Sequence, residues 1–227
     1  MPFDLCAFVF KATKCGSNNE SACSSYEDIG VFCLLLTVLR PILGLFVRFR
    51  LLPRWELEHP GFGLQVTVIV VLMMALYLIL KVRHRRPVLR ALGWVWPHTL
   101  CVMLASLLGV LLAGVAICLH GHAQNTRTIP LVEAMMLGVV FGPILEESFF
   151  RGCLLPVLAG SFTNGLAVIL TALVFALFHN PTNLAHWVSF SGSGVAYGWI
   201  RVTSRSTTAA ALAHAAYNLV LLLFARS

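Results

Sequence analysis

Gly142-Pro143-Ile144-Leu145-Glu146-Glu147-Ser148-Phe149-Phe150-Arg151-Gly152 places two adjacent carboxylates and an arginine inside a long apolar run. Glu146 and Glu147 are the only acidic residues after Glu133. A charge in hydrocarbon is costly, so a pair of them demands partners and points to a purpose. On a helix, Glu147 and Arg151 stand at i and i+4 and can neutralise each other. Glu146 is turned about 100° away and must find its partner on another element. Two carboxylates this close resist ionising together, which prepares one of them for proton transfer. A purely structural ion pair accounts for Glu147 and Arg151 but leaves Glu146 without a role.

The composition around this stretch sets the solvent. The chain has 227 residues, 59% of them hydrophobic and 11% charged. Soluble domains carry about 25% charged residues. Here the apolar excess runs in blocks long enough to cross a bilayer. The expected fold class is therefore all-α, a polytopic transmembrane helix bundle of six or seven spans. The net charge of +7 does not argue for nucleic acid, because the basic residues lie between apolar blocks, as cytoplasmic loops require. No basic face with interleaved aromatics is visible. The seven cysteines form no CxxC pair. Cys15 and Cys23 flank a polar segment and could pair in an oxidising compartment. Cys101, Cys118 and Cys153 read as small packing residues. The N-terminus lacks the charged start and cleavage site of a signal peptide.

The chain divides into a polar N-terminal segment (1–29), a set of N-terminal membrane helices (30–129) and a core (130–227) that holds the polar constellation. An apolar stretch from Gly30 to Phe49 is interrupted by Arg40-Pro41. Whether it spans or lies at the interface decides between six and seven spans. Further spans are expected over Phe62–Val82, His98–Leu119, from Pro130 through the Glu146 region, Thr163–His179, Leu184–Ile200 and Thr207–Phe224. Lys81, Arg83, His84, Arg85, Arg86 and Arg90 form the densest positive cluster, which the positive-inside rule assigns to the cytoplasm. Glu146, Glu147 and Arg151 are expected at the cytoplasmic end of their span, and Trp94 and Trp96 at the headgroups. Gly192, Gly194 and Gly198 are spaced to let helices approach closely.

Two more polar clusters follow. His179 closes an apolar helix, with Phe175 one turn earlier to pack beside its ring. His214 and Asn218 are i and i+4 in an Ala- and Leu-rich span, where polar side chains must find partners. Each cluster alone reads equally well as packing or as a helix–helix hydrogen bond. Together, carboxylates, two imidazoles and an amide on three helices supply a general base, a second proton carrier and donors for an oxyanion. A carboxylate with two imidazoles is also a ligand set for a divalent metal such as zinc. His186 reads as interfacial, and His120 and His122 as loop residues.

In order and spacing, Glu146-Glu147-x-x-x-Arg151, Phe175-x-x-x-His179 and His214-x-x-x-Asn218 resemble the CAAX prenyl endopeptidase type II and bacteriocin-processing (CPBP, Abi) family of membrane proteases. Phe150-Arg151-Gly152 and Arg90-Ala91-Leu92-Gly93 are similar to the family as well. The resemblance covers roughly residues 130–224. It implies an intramembrane endopeptidase with Glu146, Glu147, Arg151, His179, His214 and Asn218 at its site. Glu146 would activate water with help from His179, His214 and Asn218 would hold the oxyanion, and Glu147 and Arg151 would tune Glu146. The implied substrate is a membrane-associated peptide or lipidated protein, of the prenylated CAAX or leader type. The implied location is the cell (inner) membrane of a bacterium or the endoplasmic reticulum membrane of a eukaryote. Two other classes use the same residues: an ion- or proton-coupled transporter, and a non-catalytic scaffold or immunity protein.

Overall fold

The computed structural model describes residues 62–78, 81, 87–120 and 130–226. The apolar stretch at 30–49, the Cys15/Cys23 pair, the cluster at 83–86 and His122 lie outside the described residues. Among the described residues the fold is helical throughout. Helix α1 (Phe62–Leu78) is followed by a single turn, α2 (Val88–Ala91), and by α3 (Thr99–His120). The chain then runs through α4 (Leu131–Met135), α5 (Gly142–Phe149) and α6 (Leu155–Ser161) as one winding path. Two π-helical stretches join these, π1 (Met136–Phe141) and π2 (Phe150–Leu154). The bundle closes with α7 (Asn164–Phe178), α8 (Leu184–Ser204) and α9 (Thr207–Phe224).

The starts of the last three helices follow from their capping residues. The side chains of Thr163, Asn183 and Ser206 accept the backbone N–H groups of Leu166, His186 and Ala209, satisfying donors that a helix start leaves free. Helix α7 stops where Asn180 enters the left-handed region (φ 49°) ahead of Pro181, a conformation asparagine tolerates better than most residues.

Helix α3 is turned inside out relative to a helix of a soluble core. On α3 the buried positions are Ala105, Gly109, Ala113 and Ala116. The large residues Met103, Leu104, Leu107, Leu111 and Val115 point outward. Only 22% of its most apolar window is buried, whereas the core helix of a soluble protein would be mostly enclosed. Small residues inside and large apolar ones outside is the arrangement that lipid favours, because tails solvate Leu and close backbone approach supplies the packing. Helices α3 and α9 both have the length and apolarity to cross a membrane. At 15 residues, α7 is shorter than the roughly 20 that a perpendicular span requires.

Gly109 is where α3 meets α9: a Cβ there would collide with the Ala213 carbonyl. Gly109→Ala is expected to force the helices apart and destabilise the bundle by about 1–3 kcal/mol, lowering the thermal midpoint in detergent. Gly114→Ala on the same helix meets nothing within 4 Å and should leave the midpoint unchanged or raise it. Gly194 and Gly198 likewise press α8 against Ala172 and Val168, while Gly192 faces open space. Of the three glycines expected to bring helices together, two do so.

Two expected positions change. The helix carrying Glu146 does not end near it, because the π turns let the chain continue in helical conformation to Ser161. Glu146 thus sits midway along this path rather than at its cytoplasmic end. Trp96 is 75% exposed, as an interface residue would be. Trp94 instead turns inward and donates its indole N–H to Ser148 Oγ at 3.0 Å. The turn that directs it is left-handed Gly93 (φ 75°), where a Cβ would stand 2.7 Å from Arg201 Nη2. The same turn is fastened to the start of α9, since Leu92 O accepts the Thr207 hydroxyl and Gly93 O the Thr207 backbone N–H.

Candidate active site

Four helical elements bring the three polar clusters to one place. Helix α5 supplies Glu146 and Glu147, π2 supplies Arg151, the end of α7 supplies His179, and α9 supplies His214. Glu147 and Arg151 are fully buried. Arg151 Nη1 donates to Glu147 Oε1 at 3.0 Å, and Arg151 Nη2 donates to the Gly194 carbonyl at 2.9 Å. The guanidinium carbon also lies 4.7 Å from the centroid of the Phe175 ring and 5.3 Å from that of Tyr197, within cation–π range. A guanidinium keeps its proton, so the carboxylate beside it provides the charge that neutralises it. Buried ion pairs survive on such additional hydrogen bonds.

The Glu147 carboxylate has a second task. Its Oε1 accepts His214 Nδ1 at 2.9 Å. On His179, the corresponding Nδ1 donates to the Phe175 carbonyl at 2.8 Å. In both cases the partner is an acceptor, which assigns the hydrogen to Nδ1 and leaves Nε2 with a lone pair in the neutral ring. Both Nε2 atoms then face one oxygen, Glu146 Oε2, at 3.5 Å from His179 and 4.0 Å from His214. That oxygen is itself buried without a hydrogen-bond partner, although the Glu146 side chain as a whole is 24% exposed. Three acceptors converging on one point suit a donor such as water, which can give one hydrogen and be relieved of another.

The two adjacent glutamates therefore differ as their spacing predicts. Glu147 is bound by Arg151 and His214, whereas Glu146 has no partner on its own helix and faces the two imidazoles. Asn218 lies one turn beyond His214, but its Nδ2 donates to the Gly138 carbonyl of π1 at 2.7 Å. It ties α9 to the start of the Glu146 helix and is not brought onto Glu146. Phe175 packs against the His179 ring as expected, with centroids 4.4 Å apart, and edge-on against His214 at 5.8 Å.

Several participants carried no sequence signal. The Gly194 carbonyl, the Phe190 ring stacked on His179 and the Tyr197 ring stacked on His214 all come from α8, which holds none of the three motifs. Their shared face, at spacings of three and four residues, is the one cue that could have found them. His120, expected in a loop, is instead the last residue of α3; its ring centroid lies 4.6 Å from that of His186, and its Nε2 is 2.9 Å from Ser189 Oγ.

The ligand set for a metal is not in place. Among the described residues no three His, Cys, Asp or Glu side chains are grouped to hold an ion. The nearest approximation is Glu146 Oε2 with the two Nε2 atoms. At zinc bond lengths, its 4.0 Å separation would open the ligand–metal–ligand angle to about 150°, far from tetrahedral. No step below goes through a metal.

Among the described residues, a buried Glu–Arg–His centre thus lies in an all-helical bundle, two of whose helices are long and apolar enough to cross a membrane. Residues 128–220 match the family model described as Rce1-like, type II CAAX prenyl endopeptidase, which bears out the resemblance carried by the three motifs. No curated protein and no solved structure matches the chain.

Proposed function

We propose that the protein is an intramembrane endopeptidase in which Glu146 activates a water molecule against a peptide bond. The observation that carries this reading is the convergence of His179 Nε2 and His214 Nε2 on Glu146 Oε2. A water between Glu146 Oε2 and His179 Nε2 gives its proton to the carboxylate as its oxygen attacks the scissile carbonyl. The proton then passes to the leaving amine. His179 accepts or returns a proton at Nε2 in this cycle, and its Nδ1–H stays on the Phe175 carbonyl. His214 takes a proton from solvent at Nε2 before the attack and keeps it through the cycle, donating it as a hydrogen bond to the oxyanion, and the Glu147 carboxylate at its Nδ1 stabilises that imidazolium. With its amide on Gly138, Asn218 serves in this scheme by setting the height of α9, and so of His214.

The substrate we propose is a membrane-associated peptide or lipidated protein, of the prenylated CAAX or leader type. The outward apolar faces of α3 and α7 let a lipid-borne tail approach sideways, and the partial exposure of Glu146 gives water its entry. Purified protein in detergent, offered a panel of lipidated and leader peptides, is expected to cleave at least one, with new termini identified by mass spectrometry. Turnover should survive a strong chelator of divalent cations. Loss of cleavage on chelation, restored by zinc, would contradict the water–glutamate scheme. Proton flux across vesicles that depends on Glu146, with no peptide cleaved, would support the transporter class instead.

A further inference from the structure

Each imidazole is hydrogen-bonded at one edge only, through Nδ1, and the Phe175 ring meets each of them at a steep angle, 42° to His179 and 75° to His214, and not in a parallel stack. A ring held at a single atom can still rotate about that bond and swing its Nε2 away from Glu146. Helix α8 supplies what the hydrogen bonds lack. The Phe190 ring stacks on His179, with centroids 4.6 Å apart and planes 27° apart. The Tyr197 ring stacks on His214 at 4.9 Å and 20°. The two aromatics are seven residues apart, about two helical turns, and so occupy one face. Between them the Gly194 carbonyl receives Arg151 Nη2. One face of α8 thus touches both imidazoles and the guanidinium that anchors Glu147.

We propose that Phe190 and Tyr197 are positioning residues for the hydrolysis, a pair of aromatic clamps that hold the His179 and His214 planes so that both Nε2 atoms aim at Glu146 Oε2. The inference rests on the endopeptidase reading for its kinetic consequences and on geometry alone for the clamp itself. The clamp needs a ring and not a hydroxyl. Tyr197 is fully buried and its Oη has no hydrogen-bond partner, so its contribution to His214 is the face it presents. Face-to-face contact of this kind restricts tilt without supplying or removing a proton.

The test compares aromatic with aliphatic replacements in the full-length protein. Phe190→Leu and Tyr197→Leu are expected to lower kcat about ten- to a hundred-fold, the range that small misplacements of reacting groups cost, with KM little changed. Phe190→Tyr and Tyr197→Phe, which keep the stack, should stay within about threefold of the parent. Equal losses in Tyr197→Phe and Tyr197→Leu would overturn the proposal by assigning the effect to the hydroxyl. Unchanged kcat in both leucine variants would also overturn it. NMR of protein labelled at the histidine rings provides a readout independent of turnover. Each leucine variant should shift the ring-carbon resonances of its own histidine as the ring current is lost, and the aromatic variants should not. If the parent protein cleaves no peptide, the endopeptidase reading fails, and these resonances still decide the clamp: shifts confined to the leucine variants support it, and unmoved resonances overturn it.

Discussion

Glu146→Gln is expected to lower cleavage by about 10²–10⁴-fold, the usual contribution of a positioned general base, while the protein folds and melts as before. The two halves of this expectation come from the same geometry. The carboxylate oxygen facing the imidazoles makes no hydrogen bond, and the nearest polar atoms are ring nitrogens at 3.5 and 4.0 Å. Glutamine has the same shape and leaves no charge stranded, so stability should change by less than about 1 kcal/mol. Its amide, however, cannot take a proton from water. Parallel assays of cleavage rate and thermal midpoint check both halves. A variant that loses activity and unfolds together would show that Glu146 is held in the scaffold like its neighbour.

Arg151→Met should do the reverse and strike stability first. The substitution removes the 3.0 Å partner of Glu147 and the 2.9 Å donor to Gly194, and it takes the cation away from Phe175. Glu147 would be left as a carboxylate in a fully buried position. Breaking a buried pair from one side costs about 3–5 kcal/mol, enough to depress the midpoint by roughly 10 °C. Arg151→Lys should recover little, because one ammonium cannot reach both acceptors in the planar fork geometry. Adding Glu147→Gln to Arg151→Met should recover part of the loss, since neither charge is then left alone. A double variant as unstable as the sum of the singles would show that the two residues do not act as a pair.

Much of this arrangement is legible in the sequence, for identifiable reasons. Spacing alone separates Glu147, with Arg151 one turn away, from Glu146, which has no partner on its own helix. Length and apolarity place α3, α7, α8 and α9 within a few residues of their ends, because Thr163, Asn183 and Ser206 are capping residues and Pro181 cannot continue a helix. Three features are not legible. The π turns around α5 follow no residue pattern, and they carry the helix on to Ser161 and put Glu146 in its middle. Which oxygen His214 bonds depends on how α9 sits against α5, which is set partly by the contact of Ala213 with Gly109, a residue of α3, a helix that carries none of the motifs. Phe190 and Tyr197 look like ordinary apolar filling in sequence, since stacking depends on the angle between planes that only the packed helices define.

The most direct measurement is cleavage of a lipidated or leader peptide in ¹⁸O-labelled water by the purified protein and by its Glu146→Gln variant, with products read by mass spectrometry. The account predicts that the parent places one ¹⁸O in the newly formed carboxyl terminus and that the variant yields no product above background. Product formed at equal rates by parent and variant would contradict it.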